Sequence, residues 1–392
     1  MPYRNGALKS QHSYTVLHVI PGLGGGGAEN FLRNLASAMR HSHWRTVIVV
    51  ADVGSYHGFA DELRSLGCTV YDLGCPYLLQ FKLWKKVWKL IQAERPDVLQ
   101  SWMHHADVLG SVTGTLAGVP NIVWGVRASE IHRNPTDGRL KTYLFHQALK
   151  WGSRLVPRVI VTNSEQARKA HLKMGYREDV WVRVPNGVDY RRFVPDEQAR
   201  REVRQELDLA MDRPVIGFVG RFHPVKDLEC FFRAVKHYQQ QRKDVQYLLV
   251  GGKPEDLCAE ARQAWNEVPD KSGVKYVPFA SQMERYYPAM DVFTLCSRSE
   301  AFPNVVLEAM SCGLPCVTTD AGDCQIMLDG LGVVVPCRDA VALAAGWERK
   351  LSLNPERRAE IVHNGRLRIQ QEYTLSQAAE KFIQLYDTLV TG

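Results

Sequence analysis

The sequence lacks several features that would have fixed its class at once. Nowhere in its 392 residues is there an apolar run of the ~18 residues that a membrane-spanning helix needs. The first apolar stretch, 16–20, follows polar residues and is too short for the core of a secretory signal, so it reads as a strand. No Gly-Lys-Ser or Gly-Lys-Thr follows a glycine-rich turn, which excludes a P-loop. No Asp-x-Asp occurs, which removes the usual carboxylate pair for a metal bridging a diphosphate, and no metal site is expected. The nine cysteines have no regular spacing and are odd in number, as in a reduced, cytoplasmic protein. Cys312 and Cys316 have no second ligand pair and read as core residues.

Excess charge is present in only one half. The chain carries a formal +7, yet residues 1–190 hold 23 Lys+Arg against 14 Asp+Glu, whereas residues 191–392 hold 26 against 28. The first half therefore suits an anionic neighbour such as a membrane surface or a lipid diphosphate. The basic residues form no zinc finger or RNP-like segment, and nucleic acid is not expected as a partner.

Apolar strand-like runs alternate with amphipathic stretches throughout, at 15–20, 46–51, 69–73, 98–101, 122–125 and 159–162. The pattern restarts at 215–219 and continues at 247–250, 274–278, 292–296 and 315–318. Such alternation indicates parallel sheets covered by helices. The expected architecture is α/β, with two Rossmann-like doubly wound domains, 1–190 and 191–372, facing each other across a cleft. The join is the turn-rich segment beginning at Pro185, in which Asn186 and Gly187 read as hinge chemistry. Ligands of such sheets bind beyond the carboxyl ends of the strands.

Glu300 and Glu308 are the most informative pair. The first lies just past the apolar run 292–296, and the second lies one to two turns into the helix expected from Val305. Ionised carboxylates there accept hydrogen bonds from vicinal diols, and the amides of the turn at Phe302, Pro303 and Asn304 face an anion at the helix N-terminus. A sugar, a phosphate and a ribose match that layout. Arg221 and Lys226 follow the strand 215–219, where two cations can hold a diphosphate and stabilise it as it leaves. In the first half, Gly24, Gly25 and Gly26 sit in a glycine run between strand and helix, where backbone amides can approach a ligand. The run satisfies G-x-G-x-x-G and Asp52 ends the next strand, which also fits a dinucleotide-dependent oxidoreductase.

The stretch around Glu300 and Glu308, with its F-P-N and E-A-M-S-C-G-L-P flanks, resembles the signature of the retaining GT-B glycosyltransferases of family 4, also called group 1 transferases. The G-G-A-E ending of the glycine run and the G-R-x(4)-K-D pattern at Gly220 are similar to the same family. The resemblance implies a nucleotide-diphosphate sugar as donor, UDP ahead of GDP or ADP, and no cofactor. It implies that Glu308 binds the ribose, that Arg221 and Lys226 bind the diphosphate, and that Glu300 holds the sugar hydroxyls. It places His105, in W-M-H-H-A-D, near the transferred sugar, and leaves His104, Arg127 and Asn163 as acceptor-side candidates. It further implies retention of configuration and a last helix, about 373–392, that returns to the first domain. One departure stands out: Ala301 occupies a place where the family usually has glycine, which tightens the space beside the donor sugar.

The expected acceptor is a lipid-linked or surface-polysaccharide intermediate. Residues 81–91 are basic and aromatic, and fit either an amphipathic helix in an anionic membrane interface or a helix packed on the sheet with a solvated lysine face. The protein is accordingly expected in the cytoplasm, with peripheral contact at the inner face of the membrane. A sugar-nucleotide epimerase or phosphorylase on this fold, and a membrane-docked scaffold without activity, are the remaining alternatives.

Overall fold

The structure, a computed structural model, describes residues 14–23, 27–54, 57–75, 81–129, 138–278 and 282–392. In chain order the elements begin β1 (Tyr14–Gly22), α1 (Gly27–Met39), β2 (Trp44–Asp52), α2 (His57–Ser65), β3 (Thr69–Asp72), α3 (Phe81–Glu94) and β4 (Val98–Ser101). Then come α4 (His104–Ala117), β5 (Asn121–Val126), α5 (Arg139–Leu155), β6 (Val159–Thr162), α6 (Glu165–Lys173) and β7 (Trp181–Arg183). The second half holds α7 (Glu197–Glu206), β8 (Val215–Val219), α8 (Leu228–Tyr238), β9 (Gln246–Val250), α9 (Ala259–Asn266), β10 (Val274–Val277) and β11 (Val292–Leu295). It closes with α10 (Asn304–Ser311), β12 (Cys316–Thr319), α11 (Cys324–Leu328), β13 (Val333–Val335), α12 (Ala340–Leu351), α13 (Pro355–Glu372) and α14 (Leu375–Thr391).

The chain divides into two compact units. The first comprises residues 1–163, 167–185 and 375–392, and the second comprises 164–166 and 186–374. Each is an α/β unit around one all-parallel sheet, as the alternation of apolar runs and amphipathic stretches implies. Strands β7 and β13, only three residues each, leave no pattern long enough to find in the sequence.

In the first unit the strand order is β3-β2-β1-β4-β5-β6-β7. Three tryptophans, Trp44, Trp102 and Trp124, are fully buried here. Each indole N–H has an acceptor: Asp387 at 2.8 Å, His18 Nδ1 at 3.1 Å and Ser111 Oγ at 2.8 Å respectively. Large aromatics can fill a core without an unsatisfied donor only under that condition. Helix α14 is part of this core, with Phe382 and Tyr386 packed against Phe31, Trp102 and Trp44. In α3, Leu83, Val87 and Ile91 point into the unit and the lysines point outward. The buried part of the apolar stripe packs inside the first unit beside α4, while Trp84 and Trp88 are half-buried next to the exposed lysines.

In the second unit the order is β10-β9-β8-β11-β12-β13. Trp347 fills its centre, with its indole N–H donated to Thr294 Oγ1 at 2.8 Å. In both units the order reverses beside the first strand, between β1 and β4 and between β8 and β11. That reversal is where a doubly wound sheet opens a crevice.

Asp107 in α4 gives the first unit a pH signature. Burial pushes its carboxyl from the usual range up to about 7, partly offset by hydrogen bonds from the Ser101 hydroxyl at 2.5 Å and the Gly125 backbone. A carboxyl raised on folding contributes stability below its unfolded value, and loses that contribution as pH rises towards the folded value. Thermal unfolding of the wild type and Asp107→Asn between pH 4 and 8 should show the variant gaining on the wild type as pH rises. A pH-independent difference would remove Asp107 as the cause.

Candidate functional site

At the reversal in the second unit, the loops after β8 and β11 lie side by side because their strands are neighbours, with Val292 opposite Ile216 and Thr294 opposite Phe218. Several bonds tie the two loops together. The backbone N–H of Arg298 donates to the carbonyl of Val225 at 2.8 Å. The guanidinium of Arg298 pairs with Asp227 at 2.8 Å and Glu229 at 3.0 Å. Across the same seam, Lys226 Nζ meets Glu300 Oε1 at 2.5 Å, and Ser297 Oγ donates to that oxygen at 2.7 Å. Two of the sequence-singled residues, 74 positions apart, are thus in contact. Arg221 is exposed on the loop after β8.

Backbone fits closely around these loops. Gly251, after β9, has φ +121°, and a Cβ there would lie 2.4 Å from the carbonyl oxygen of Gly220. Gly322, with φ +62°, would carry its Cβ 2.4 Å from the carbonyl oxygen of Ala301. Only glycine satisfies both the conformation and the space at these places. Ala301 itself is not among the described residues with positive φ, so its methyl group brings no backbone strain.

Phe302 and Pro303 are buried and lead into α10, which begins at Asn304. The Oδ1 of Asn304 accepts from Asn186 Nδ2 at 2.9 Å, so Asn186 acts here through its side chain as well as through the turn. Pro303 supplies no side-chain cap, which leaves the first amides of α10 to other partners. Glu308 sits in the second turn and accepts from Tyr287 Oη at 2.5 Å. Burial raises its carboxyl, while the Tyr287 hydrogen bond and the charge of Arg192 pull it back.

In the first unit, His105 is exposed at the start of α4 and stacks on Phe145 at 4.7 Å. The turn before it is unusual, since Met103 has φ 73° and donates its N–H to Gly125 O at 3.0 Å. His104 is out of place as an acceptor-side residue. Its ring is buried and lies against His171, Nε2 to Nε2 at 2.7 Å, because the helical turn points it into the core when His105 faces out. The Arg127 guanidinium lies over three rings, 4.4 Å from Phe31, 4.8 Å from Trp102 and 5.6 Å from Phe382. Burial lowers it to about 9. Asn163 is buried at the end of β6. Gly24, Gly25 and Gly26 lie outside the described residues.

Sequence reasoning missed Ser297, Arg298, Tyr287 and Asp323. The first two stand three and two positions before Glu300, and their distance from the strand end was the available signal. Tyr287 has no local signal, since it reaches Glu308 only through the tertiary fold. Asp323 accepts from Ser164 Oγ at 2.8 Å and from the backbone N–H groups of Glu165 at 2.9 Å and Gln166 at 3.0 Å, all within the second unit.

Comparisons with known proteins agree with this arrangement. Residues 25–192 match the family described as Glycosyltransferase Family 4, and residues 213–352 match the family described as Glycosyl transferases group 1. EpsF of Bacillus subtilis (strain 168) is 28% identical over 326 residues, 78% of this chain and 79% of that protein. The UDP-Gal:alpha-D-GlcNAc-diphosphoundecaprenol alpha-1,3-galactosyltransferase of Escherichia coli is 25% identical over 260 residues, 64% of this chain and 66% of that one. Among solved structures, Anabaena HepE in complex with UDP matches with a TM-score of 0.81 at 20% identity, covering 95% of this chain and all of that one. The glutamate signature, the cationic loop beside it and the two parallel sheets are therefore those of a group 1 glycosyltransferase of GT-B fold, and the chain belongs to that family.

Proposed function

We propose that the protein transfers a hexose from a UDP-sugar to a hydroxyl of a lipid-linked or surface-polysaccharide intermediate, with retention of configuration and without a metal. The contact between Lys226 and Glu300, with Glu308 on the helix that follows, carries this reading. It brings a cation for a diphosphate and two carboxylates for hydroxyls to the reversal of one sheet. The donor class draws on HepE, which binds UDP, and the acceptor class on the Escherichia coli relative, whose acceptor is a diphosphoundecaprenol-linked sugar.

In this proposal the ribose diol donates to Glu308, whose partial burial strengthens hydrogen bonds by excluding water. The diphosphate lies against Arg221, Lys226 and the first amides of α10, at Asn304 and beyond. Phe302 and Pro303 wall the sugar, and Glu300 accepts from its hydroxyls. Gly24, Gly25 and Gly26 offer further backbone donors, and His105 attends the transferred sugar. Arg127 and Asn163, whose polar ends are buried, support the acceptor side from beneath rather than touching the acceptor. The bond from the anomeric carbon to the diphosphate oxygen breaks, and the acceptor oxygen bonds to the same face. The acceptor's proton passes to the departing phosphate oxygen, so no protein nucleophile is needed. As charge develops on the leaving diphosphate, Lys226 exchanges its contact with Glu300 for phosphate, which strengthens binding in the transition state. The reaction is placed in the cytoplasm, at the inner face of the membrane where a lipid-linked acceptor is reached.

Thermal shifts with UDP, GDP and ADP, each with and without EDTA, test the donor. Ligand at about 100 times its dissociation constant adds roughly 2.7 kcal/mol, and UDP alone should give that gain, unaffected by EDTA. Stabilisation that EDTA abolishes would overturn metal independence, and a response to GDP or ADP instead would overturn the donor. Lys226→Ala and Glu300→Ala, both at partly exposed positions, should fold normally and lose turnover by about 10²–10³. Retained turnover in either removes that residue's role. Glu308→Ala should weaken UDP binding by about 10–100-fold, the worth of hydrogen bonds to a charged group. Unchanged UDP affinity would detach Glu308 from the ribose.

A further inference from the structure

Helix α5 presents an outer face that no core claims. Its inner face is fixed by Leu149 and Ser153, both buried, and by Gly152, where a Cβ would stand 3.1 Å from the Trp124 ring. At 100° per residue, Leu140, Leu144, Trp151 and Leu155 fall within an arc of about 60° on the opposite side. They are 71%, 56%, 54% and 81% exposed. Scattered apolar residues on a surface are ordinary, but four on one stripe of one helix are a patch. Helix α4, which packs on α5, adds the exposed Leu116.

The charge on the helix itself has one sign. From Arg139 to Leu155 the helix carries Arg139, Lys141, Lys150 and Arg154 and no carboxylate at all. Beside the stripe lies a cavity of about 380 Å³, whose basic lining comes from Arg139, His146 and Lys150 and whose far wall is Met174 and Tyr176. The Lys150 stem is pinned against Gly175, where a Cβ would come within 2.8 Å of its Cε. Trp151 has the Arg154 guanidinium 5.4 Å and the Lys150 ammonium 5.9 Å from its ring centre. An indole flanked by cations, in line with exposed leucines, matches the boundary between acyl chains and headgroups.

We propose that α5 docks the protein on an anionic lipid bilayer, with Leu140, Leu144, Trp151 and Leu155 entering the headgroup–acyl boundary and the Arg139–His146–Lys150 cavity taking a lipid phosphate. Charge complementarity commits the surface to this occupant, because the cations call for an anionic layer and the leucines with Trp151 for an apolar one beside it, and a bilayer of anionic lipids supplies both together. The surface lies wholly in the first unit and does not depend on the sugar-transfer reading.

Flotation of the full chain with vesicles tests it, using phosphatidylcholine alone and phosphatidylcholine with about a third phosphatidylglycerol. The wild type should float with the anionic vesicles, and Trp151 emission should move to shorter wavelength, a change missing in Trp151→Phe. The double variants Leu144→Asp/Leu155→Asp and Arg139→Glu/Lys150→Glu should each lose at least about tenfold in vesicle affinity. A far-UV circular dichroism spectrum and a melting temperature equal to the wild type's show that a variant is folded, and failure of the donor reading would leave both that control and the flotation result intact. Three results would overturn the proposal: equal flotation of the variants, equal flotation on neutral vesicles, or binding abolished by replacing the lysines of α3 while the α5 variants still float. A concentration-dependent Trp151 shift without vesicles would assign the stripe to a second copy of the chain, and would overturn it as well.

Discussion

A parallel sheet whose strand order reverses has two neighbouring strands whose following helices depart in opposite directions, and the gap between their loops cannot be closed by backbone. In the second unit that gap lies between β8 and β11. Its two sides are held in register by Arg298, whose N–H is bonded to Val225 and whose guanidinium is bonded to Asp227 and Glu229. Lys226 and Glu300 meet because those bonds hold their loops together. Their own ion pair is partly solvated, and such pairs contribute little to stability. In the proposed reaction that is useful, because the lysine would exchange a carboxylate for a phosphate.

The first unit solves a different problem, which is to bury large aromatic and polar side chains together. Each of its buried indoles has an acceptor, and one of them, Asp387, comes from the last helix of the chain. Helix α14 thereby becomes part of a core that was begun more than 340 residues earlier. Arg127 is held by ring faces from α1, the turn after β4 and α14. Cation–π attraction in a desolvated place offsets part of the cost of burying that charge.

Two basic, amphipathic helices show where sequence periodicity stops being decisive. Residues 81–91 and Arg139–Leu155 both carry apolar residues at helical spacing among cations. In α3 the buried part of the apolar stripe is spent on the core, whereas in α5 a second stripe remains exposed after Leu149 and Ser153 have gone inward. Periodicity reports that a helix has faces, but which face meets a sheet depends on where the neighbouring strands lie.

The sequence by itself determined the two parallel α/β units, the strand that precedes Glu300, the helix that carries Glu308 and the cationic loop at Arg221 and Lys226. These are local properties: apolar runs of strand length, glycine at turns, and charged residues just past strand ends. It did not determine the three-residue strands, the Lys226–Glu300 contact, the burial of His104 beside an exposed His105, or the Tyr287 hydroxyl on Glu308. Each of those joins residues that are distant in sequence, or selects between two faces of one helix. Only the tertiary structure decided them, because the free energy of a contact depends on which partner the packed core brings within reach.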